Sequence, residues 1–396
     1  MGGYVQMIFH NSDEYLKKLG ALHTTREIQQ QPKVWKEIAT SHQEKLQEWK
    51  GFLEEIFAKH NHVRIIFTGA GTSAYIGEVL VPVLNGKKQS GVRFEAIATT
   101  DIVSNPTAYL TKEEPTILVS FARSGNSPES VGTVEVAEKI VRNLYHVIIT
   151  CNKDGKLAQR SINDPNSLLI LLTDKVNDRS FAMTSSFSSM VLAAYQLFAD
   201  DFSLSKLEYI CEQGYNLLAI IDEVTDEVLE FDFDRIVYLG SGTLGKYSRE
   251  AALKMLELTS GFVATLYETS LGFRHGPKTF LTEKTLVVFF ISKDSYTKQY
   301  DLDMLKEIHE SPRQIQTVVL SEQDEYAEYA RWTVPVNTGA EDIENDFYLG
   351  LLYTIFAQTL ALKKSLRLQL TPDNPVQDGS VNRVVKGVVI YPWNQE

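Results

Sequence analysis

Cysteine is scarce in this chain, with only Cys151 and Cys211 among 396 residues. Two thiols this far apart exclude a disulfide framework and a cysteine-rich metal site, and they read as reduced thiols of a cytosolic protein. Long apolar runs are missing as well. The opening stretch "MGGYVQMIFHNSDEYLKKLGALHTT" has no hydrophobic core, and no later segment reaches membrane-spanning length without charges. A soluble, cytoplasmic protein with no membrane partner is expected. Positive charge is in deficit: 39 Lys and Arg face 51 Asp and Glu, a formal charge of −12. That balance argues against a grip on the nucleic-acid backbone. Any anionic ligand must then be held by local dipoles. A Walker sequence is also absent, which removes the commonest nucleotide-binding loop.

What is present suits a globular enzyme. Hydrophobic residues make up 43% and charged residues 23% of the chain. Its length allows two domains, each with its own core. Residues 1–44 read as a polar helical leader. From Val63 onward short β-rich runs alternate with longer helical patterns, the mark of a mainly parallel α/β sheet. Strands are expected at Arg64–Thr68, Arg93–Ala98, Thr116–Phe121, His146–Cys151 and Leu168–Leu172. The second half repeats the order, with strands in "RIVYLGSGT", "KTLVVFFIS", "QTVVLS" and "WTVPVN". Gly69, Gly71 and Thr72 recur as Gly240, Gly242 and Thr243 at one constant offset. Two related domains, duplicated and diverged, are therefore predicted at 45–212 and 213–371. The tail 372–396, with its prolines and the run "VNRVVKGVVIY", is expected to lie extended over a surface near the site.

Two hydroxyl-rich loops carry the first chemical signal. "IIFTGAGTSAYIGEV" ends a strand on a glycine pair and opens a helix with Thr72 and Ser73. The glycines free the backbone to turn, and the helix start directs amides toward an anion. A plain tight turn would use the same residues. "VSFARSGNSPES" then places Arg123, Ser124, Gly125 and Ser127 before a helix opened by Pro128. Capping alone would account for Ser127. It does not account for Ser124 and Gly125, nor for a third cluster at Thr184, Ser185 and Ser186. Hydroxyls and helix starts converging on one crevice make a site for a phosphate monoester that requires neither metal nor cofactor. The second repeat lacks the serine loop but carries Glu257 on a helix, on roughly the same face as Glu250, and His275 before a Gly-Pro turn. Each has an ordinary reading, as a solvated carboxylate and a loop histidine. Together they suit proton transfer.

"GAGTSAYIGE", "SFARSGNSPES" and "ALKMLEL…FRHGP" resemble double sugar-isomerase (SIS) domain proteins, related to the isomerase half of glucosamine-6-phosphate synthase. "SFAMTSSFSSM", "ETSLGFRHGPKTF" and the tail "PDNP…GSVNRVVKGVVIYP" are similar to the galactosamine-6-phosphate deaminase/isomerase family, also labelled tagatose-6-phosphate ketose/aldose isomerase. The resemblance implies two tandem flavodoxin-like SIS domains, a sugar-phosphate substrate, and a homodimer or higher homo-oligomer. It implies phosphate contacts from Ser73, Ser124 and Ser127, with Thr184 or Ser185 adding one more. It implies that Glu257 is the base shuttling a proton between C2 and C1. His275 falls on the ring-opening residue, which in relatives reaches across from the partner subunit. Lys386 falls near a tail lysine that forms a Schiff base in the synthase, or is a solvated lysine. Arg123 stands where glutamine is usual, and would either bind the phosphate or face water. No cysteine follows the initiator Met, so glutamine-dependent synthesis is not expected. The alternatives are tagatose-6-phosphate isomerisation without deamination, and a sugar-phosphate sensor without turnover.

Overall fold

The structure, a computed structural model, describes residues 7–86, 91–383, 385 and 387–394. It contains two five-stranded sheets, every pairing in both being parallel. The first comprises β1 (Val63–Thr68), β2 (Val92–Ala96), β3 (Thr116–Ala122), β4 (Leu144–Thr150) and β5 (Ser167–Leu171) in the order β2-β1-β3-β4-β5. The second comprises β6 (Arg235–Gly240), β7 (Ala264–Glu268), β8 (Thr285–Phe290), β9 (Gln316–Ser321) and β10 (Trp332–Pro335) in the order β10-β9-β8-β6-β7. Read from its other edge, the second order is the first repeated. Both are the flavodoxin-like arrangement.

The central strands "VRIIFT", "TILVSFA" and "TLVVFF" are buried along their whole length. Parallel sheets covered by helices on both faces demand such unbroken apolar runs. The edge strand β7, "ATLYE", has only exposed and half-buried residues and was not among the expected strands. Its place is set by pairing with β6, with the half-buried Leu266 packed against the core. The duplication also extends to backbone angles: Gly71 and Gly242 have φ of 57° and 56°.

The chain divides into two compact units that interleave in sequence. One holds the first sheet, with Val34–Asp178, Ser185–Leu204 and the tail from Val381. The other holds the second sheet, with the chain up to Lys33, Arg179–Thr184 and Ser205–Ser380. Residues 44–45 and 212–213 lie inside the continuous helices Gln31–Lys59 and Leu204–Leu229. Uninterrupted helical periodicity shows no break in composition at such points. In the first-sheet unit the described residues of the tail form no helix or strand, and its end docks on the Pro128–Ile140 helix. Ile390 fills the space where Gly132 has no side chain, and Trp393 packs on the core beside that helix. In the second-sheet unit Asp373 receives the amides of His23 and Thr24, fastening the leading helices.

Candidate active site

In the first sheet β1 leads to β2 on one side and β3 to β4 on the other. The strand order therefore reverses between β1 and β3, and open α/β sheets bind ligands beyond the carboxyl ends at such a point. Both hydroxyl loops lie there. A side chain on Gly69 would stand 2.6 Å from the backbone of Ser73, so the turn closes only with glycine. The Thr72–Asn85 helix follows at once, with Thr72 and Ser73 both buried in its first turn.

After β3, Ser124 accepts from the Asn126 amide at 3.3 Å, and its carbonyl accepts from Asn152 Nδ2 at 2.8 Å. Gly125, at φ 67°, lets the loop pass Gly155 closely. Ser127 occupies the N-cap position before Pro128, as its sequence context predicts, yet makes no side-chain cap. Its hydroxyl donates instead to Ser130 Oγ at 2.6 Å. Capping therefore does not account for Ser127.

Arg123 does not face water: it is 7% exposed, and its guanidinium donates to the Arg383 carbonyl of the tail at 3.1 Å. Arg383 in turn donates to the Asp178 carbonyl. The Asp178 carboxylate accepts from the Ser185 and Ser186 hydroxyls, each at 2.5 Å, and from the Ser186 amide at 2.8 Å. The start of the Ser185–Phe198 helix thus already has a carboxylate of this chain. Thr184, fully buried, belongs to the Arg179–Thr184 segment of the other unit, where Glu27 holds the amides of Arg179 and Ser180.

In the second-sheet unit the Gly242–Leu258 helix carries Glu250, Lys254 and Glu257 along one stripe. The Lys254 ammonium is completely buried, 3.3 Å from Glu250 and bonded to Glu257. Burial alone would lower its pKa. The two carboxylates outweigh that, Glu250 first, and hold it above the ordinary lysine value. Glu257 keeps 25% of its side chain open. Lys254 went unnoticed in the sequence, although Glu-x₃-Lys-x₂-Glu is the spacing that stacks charges on successive helical turns.

His275 is exposed, between the short turns Gly272–Arg274 and Pro277–Phe280, and Gly276 takes φ 114° to join them. The Gly-Pro pair does shape the backbone here. The structure does not, however, bring His275 and Glu257 together within one chain. The helix bearing Glu257 packs with the Asp346–Arg367 helix, whose Tyr353 meets Phe290 and, through it, Tyr238 on one face of the second sheet. Phe273 and Leu281, flanking His275, pack with Val237, Leu239, Val287 and Phe289 on the opposite face. The sheet lies between the two residues.

The second sheet's own crevice, between β6 and β8, is filled from within. Asp301 accepts from Ser241 Oγ at 2.6 Å, Ser270 Oγ at 2.5 Å and the Ser292 amide at 3.1 Å. Burial pushes its pKa up despite these bonds. Lys386 lies outside the described residues. Among those residues, no helix is long and apolar enough to cross a membrane.

Residues 56–199 and 231–365 each match the SIS domain family. The D-galactosamine-6-phosphate deaminase AgaS of Escherichia coli O157:H7 is 41% identical over 93% of this chain and 96% of its own length. A solved structure from Clostridium novyi NT is 42% identical with a TM-score of 0.92, covering 97% of this chain and 99% of that one. The tagatose-6-phosphate ketose/aldose isomerase of Escherichia coli is 36% identical with a TM-score of 0.86, covering 94% and 97%. The chain belongs to the SIS-domain family, with two copies of the domain, in the branch of the AgaS galactosamine-6-phosphate deaminases.

Proposed function

We propose that this protein converts galactosamine 6-phosphate to tagatose 6-phosphate and ammonia. The match to a curated deaminase over nearly its entire length carries this reading. The loops Gly69–Ser73 and Arg123–Ser127 hold the phosphate, with Thr184 or Ser185 adding a contact. A phosphate anchor leaves the reacting end of the open-chain sugar to a positioned base. Glu257 takes the C2 proton and returns it to C1 through an enolamine. The resulting C2 imine takes up one water and releases one ammonia, leaving the ketose phosphate. His275 serves ring opening. Because the sheet separates it from Glu257 within a chain, it serves the Glu257 of a second copy, and the working unit is a homo-oligomer. The tail reaches these loops through Arg383, whose carbonyl accepts from Arg123. This chemistry calls for a base, an acid and an anion anchor, with no metal or cofactor.

Ammonia release from purified protein tests the reading, with galactosamine 6-phosphate, glucosamine 6-phosphate and tagatose 6-phosphate in parallel. Ammonia is expected from the galacto amine, falling by about 10²–10⁴-fold in Glu257→Gln, the range of a lost general base. Conversion of tagatose 6-phosphate without ammonia release would favour the isomerisation named in the Escherichia coli structure. Silence with all three substrates would point to a sensor.

A further inference from the structure

The segment that carries His275 has almost no regular structure, yet one helix holds it along its length. Ser270, at the start of the segment, donates to Asp301 on the Ser295–His309 helix at 2.5 Å. Phe273 is fully buried in a core shared with Met304, Leu305 and Ile308 of that helix. Nearer its C-terminal end the same helix presents Glu307. One carboxylate oxygen accepts from Arg274 Nε at 2.6 Å, and the other accepts from the Lys278 ammonium. Arg274 immediately precedes His275, and Lys278 follows it by three positions. The carboxylate therefore bridges the two short turns on either side of the histidine. The joint they flank is Gly276 at φ 114°, where a glycine has its greatest freedom.

We infer that Glu307 is a positioning residue for His275: by pinning Arg274 and Lys278 to one carboxylate it fixes the turn that aims the imidazole. The inference rests on the role given to His275 above. Neither cation alone would suffice, because a single anchor leaves the Gly276 joint free to swing. Lys278 and then Arg274 hold the Glu307 carboxyl below the usual carboxylate range, so the clamp is charged at neutral pH. An isolated surface pair contributes little to stability. The consequence of this one lies in geometry, where a displacement of about 1 Å in a catalytic group costs on the order of a hundredfold in rate.

Glu307→Gln keeps the shape of the side chain and removes the charge that holds both cations. Amide hydrogen exchange across residues 272–281 is expected to rise about tenfold or more, with exchange in β6 and β8 unchanged. The kcat for ammonia release is expected to fall about tenfold or more while KM stays within about twofold, because the phosphate loops are untouched. In a His275→Asn background the further loss from Glu307→Gln should vanish, as it does for residues acting as one unit. Unchanged exchange at 272–281, or full kcat in Glu307→Gln while His275→Asn is crippled, would overturn the inference. Wild-type protein without ammonia release, or full activity in His275→Asn, would overturn the proposed function instead, and the exchange measurement would still decide the clamp.

Discussion

At the scale of single residues, the most consequential arrangement is the stripe Glu250–Lys254–Glu257. A buried ammonium is tolerated only when its charge is compensated, and here two carboxylates compensate it. Glu250 is itself almost entirely buried and gives Lys254 its fixed partner, while Glu257 keeps a quarter of its surface open. Lys254 thereby sets the rotamer of Glu257, the proposed base, while leaving part of its carboxylate open. Lys254→Met should cost about 3–5 kcal/mol in urea unfolding, the price of leaving a buried carboxylate uncompensated. Adding Glu250→Gln should return much of that loss, since the orphaned charge is then gone. A single variant as stable as wild type would mean the stripe is solvated in solution. Glu257 stood out in the sequence beside Glu250, but Lys254, which holds it, was legible only as a spacing. Nothing in the sequence says whether a helical charge faces water or core.

At the scale of elements, strand-turn-helix punctuation carried most of the reading. The buried strands and both glycine turns were legible because their residue types are forced by burial on two faces and by close backbone approach. β7 was not, and neither was the exchange of segments between the two units, because long-range docking such as Asp373 with His23 and Thr24 leaves no local mark. The same limit hid the internal carboxylates Asp178 and Asp301, the first of them bound to Ser185 and Ser186, which read as ligand contacts. The Gln31–Lys59 helix adds a pH dependence. Its His42 lies against Trp49, ring centroids 4.9 Å apart, and burial lowers its pKa from 6.5 to about 4. Gln196 pulls that value upward and Lys45 adds to the lowering. Burial lowers the pKa of His146 on β4 as well. With a depressed folded-state pKa, the stability these residues contribute is present above the unfolded value. It declines as pH falls from about 6.5 toward 4, because the unfolded chain binds the proton first. Unfolding free energy should drop by up to about 3 kcal/mol over that window from His42 alone. Comparing urea midpoints at pH 7.5, 6 and 5 checks this. His42→Gln should flatten the profile, and an unchanged slope would assign the dependence elsewhere.

At the scale of the whole molecule, the duplicated fold is put to unequal use. Both sheets have a reversal of strand order and a glycine turn at its edge, but the second fills its crevice with Asp301. The first repeat keeps the two hydroxyl loops proposed to bind the phosphate, and the other carries a helix stripe on one face of its sheet and the His275 turn on the opposite face. No rotation of a side chain carries an imidazole through a five-stranded sheet, so a reaction that uses both Glu257 and His275 draws them from different copies. Closed pairs of identical chains then contain two sites, each built from both. This gives a test that needs no further structure. Glu257→Gln and His275→Ala proteins, each inactive alone, are mixed, dissociated and reassociated. A mixed pair has one site lacking both groups and one site with both intact. Random reassociation makes about half the pairs mixed, so about a quarter of wild-type activity should return. If both groups had to come from one chain, every site in the mixture would lack one of them and no activity would return. Recovery near a quarter would identify the dimer as the catalytic unit, whereas persistent inactivity alongside demonstrated mixed pairs would remove His275 of the second copy from the mechanism.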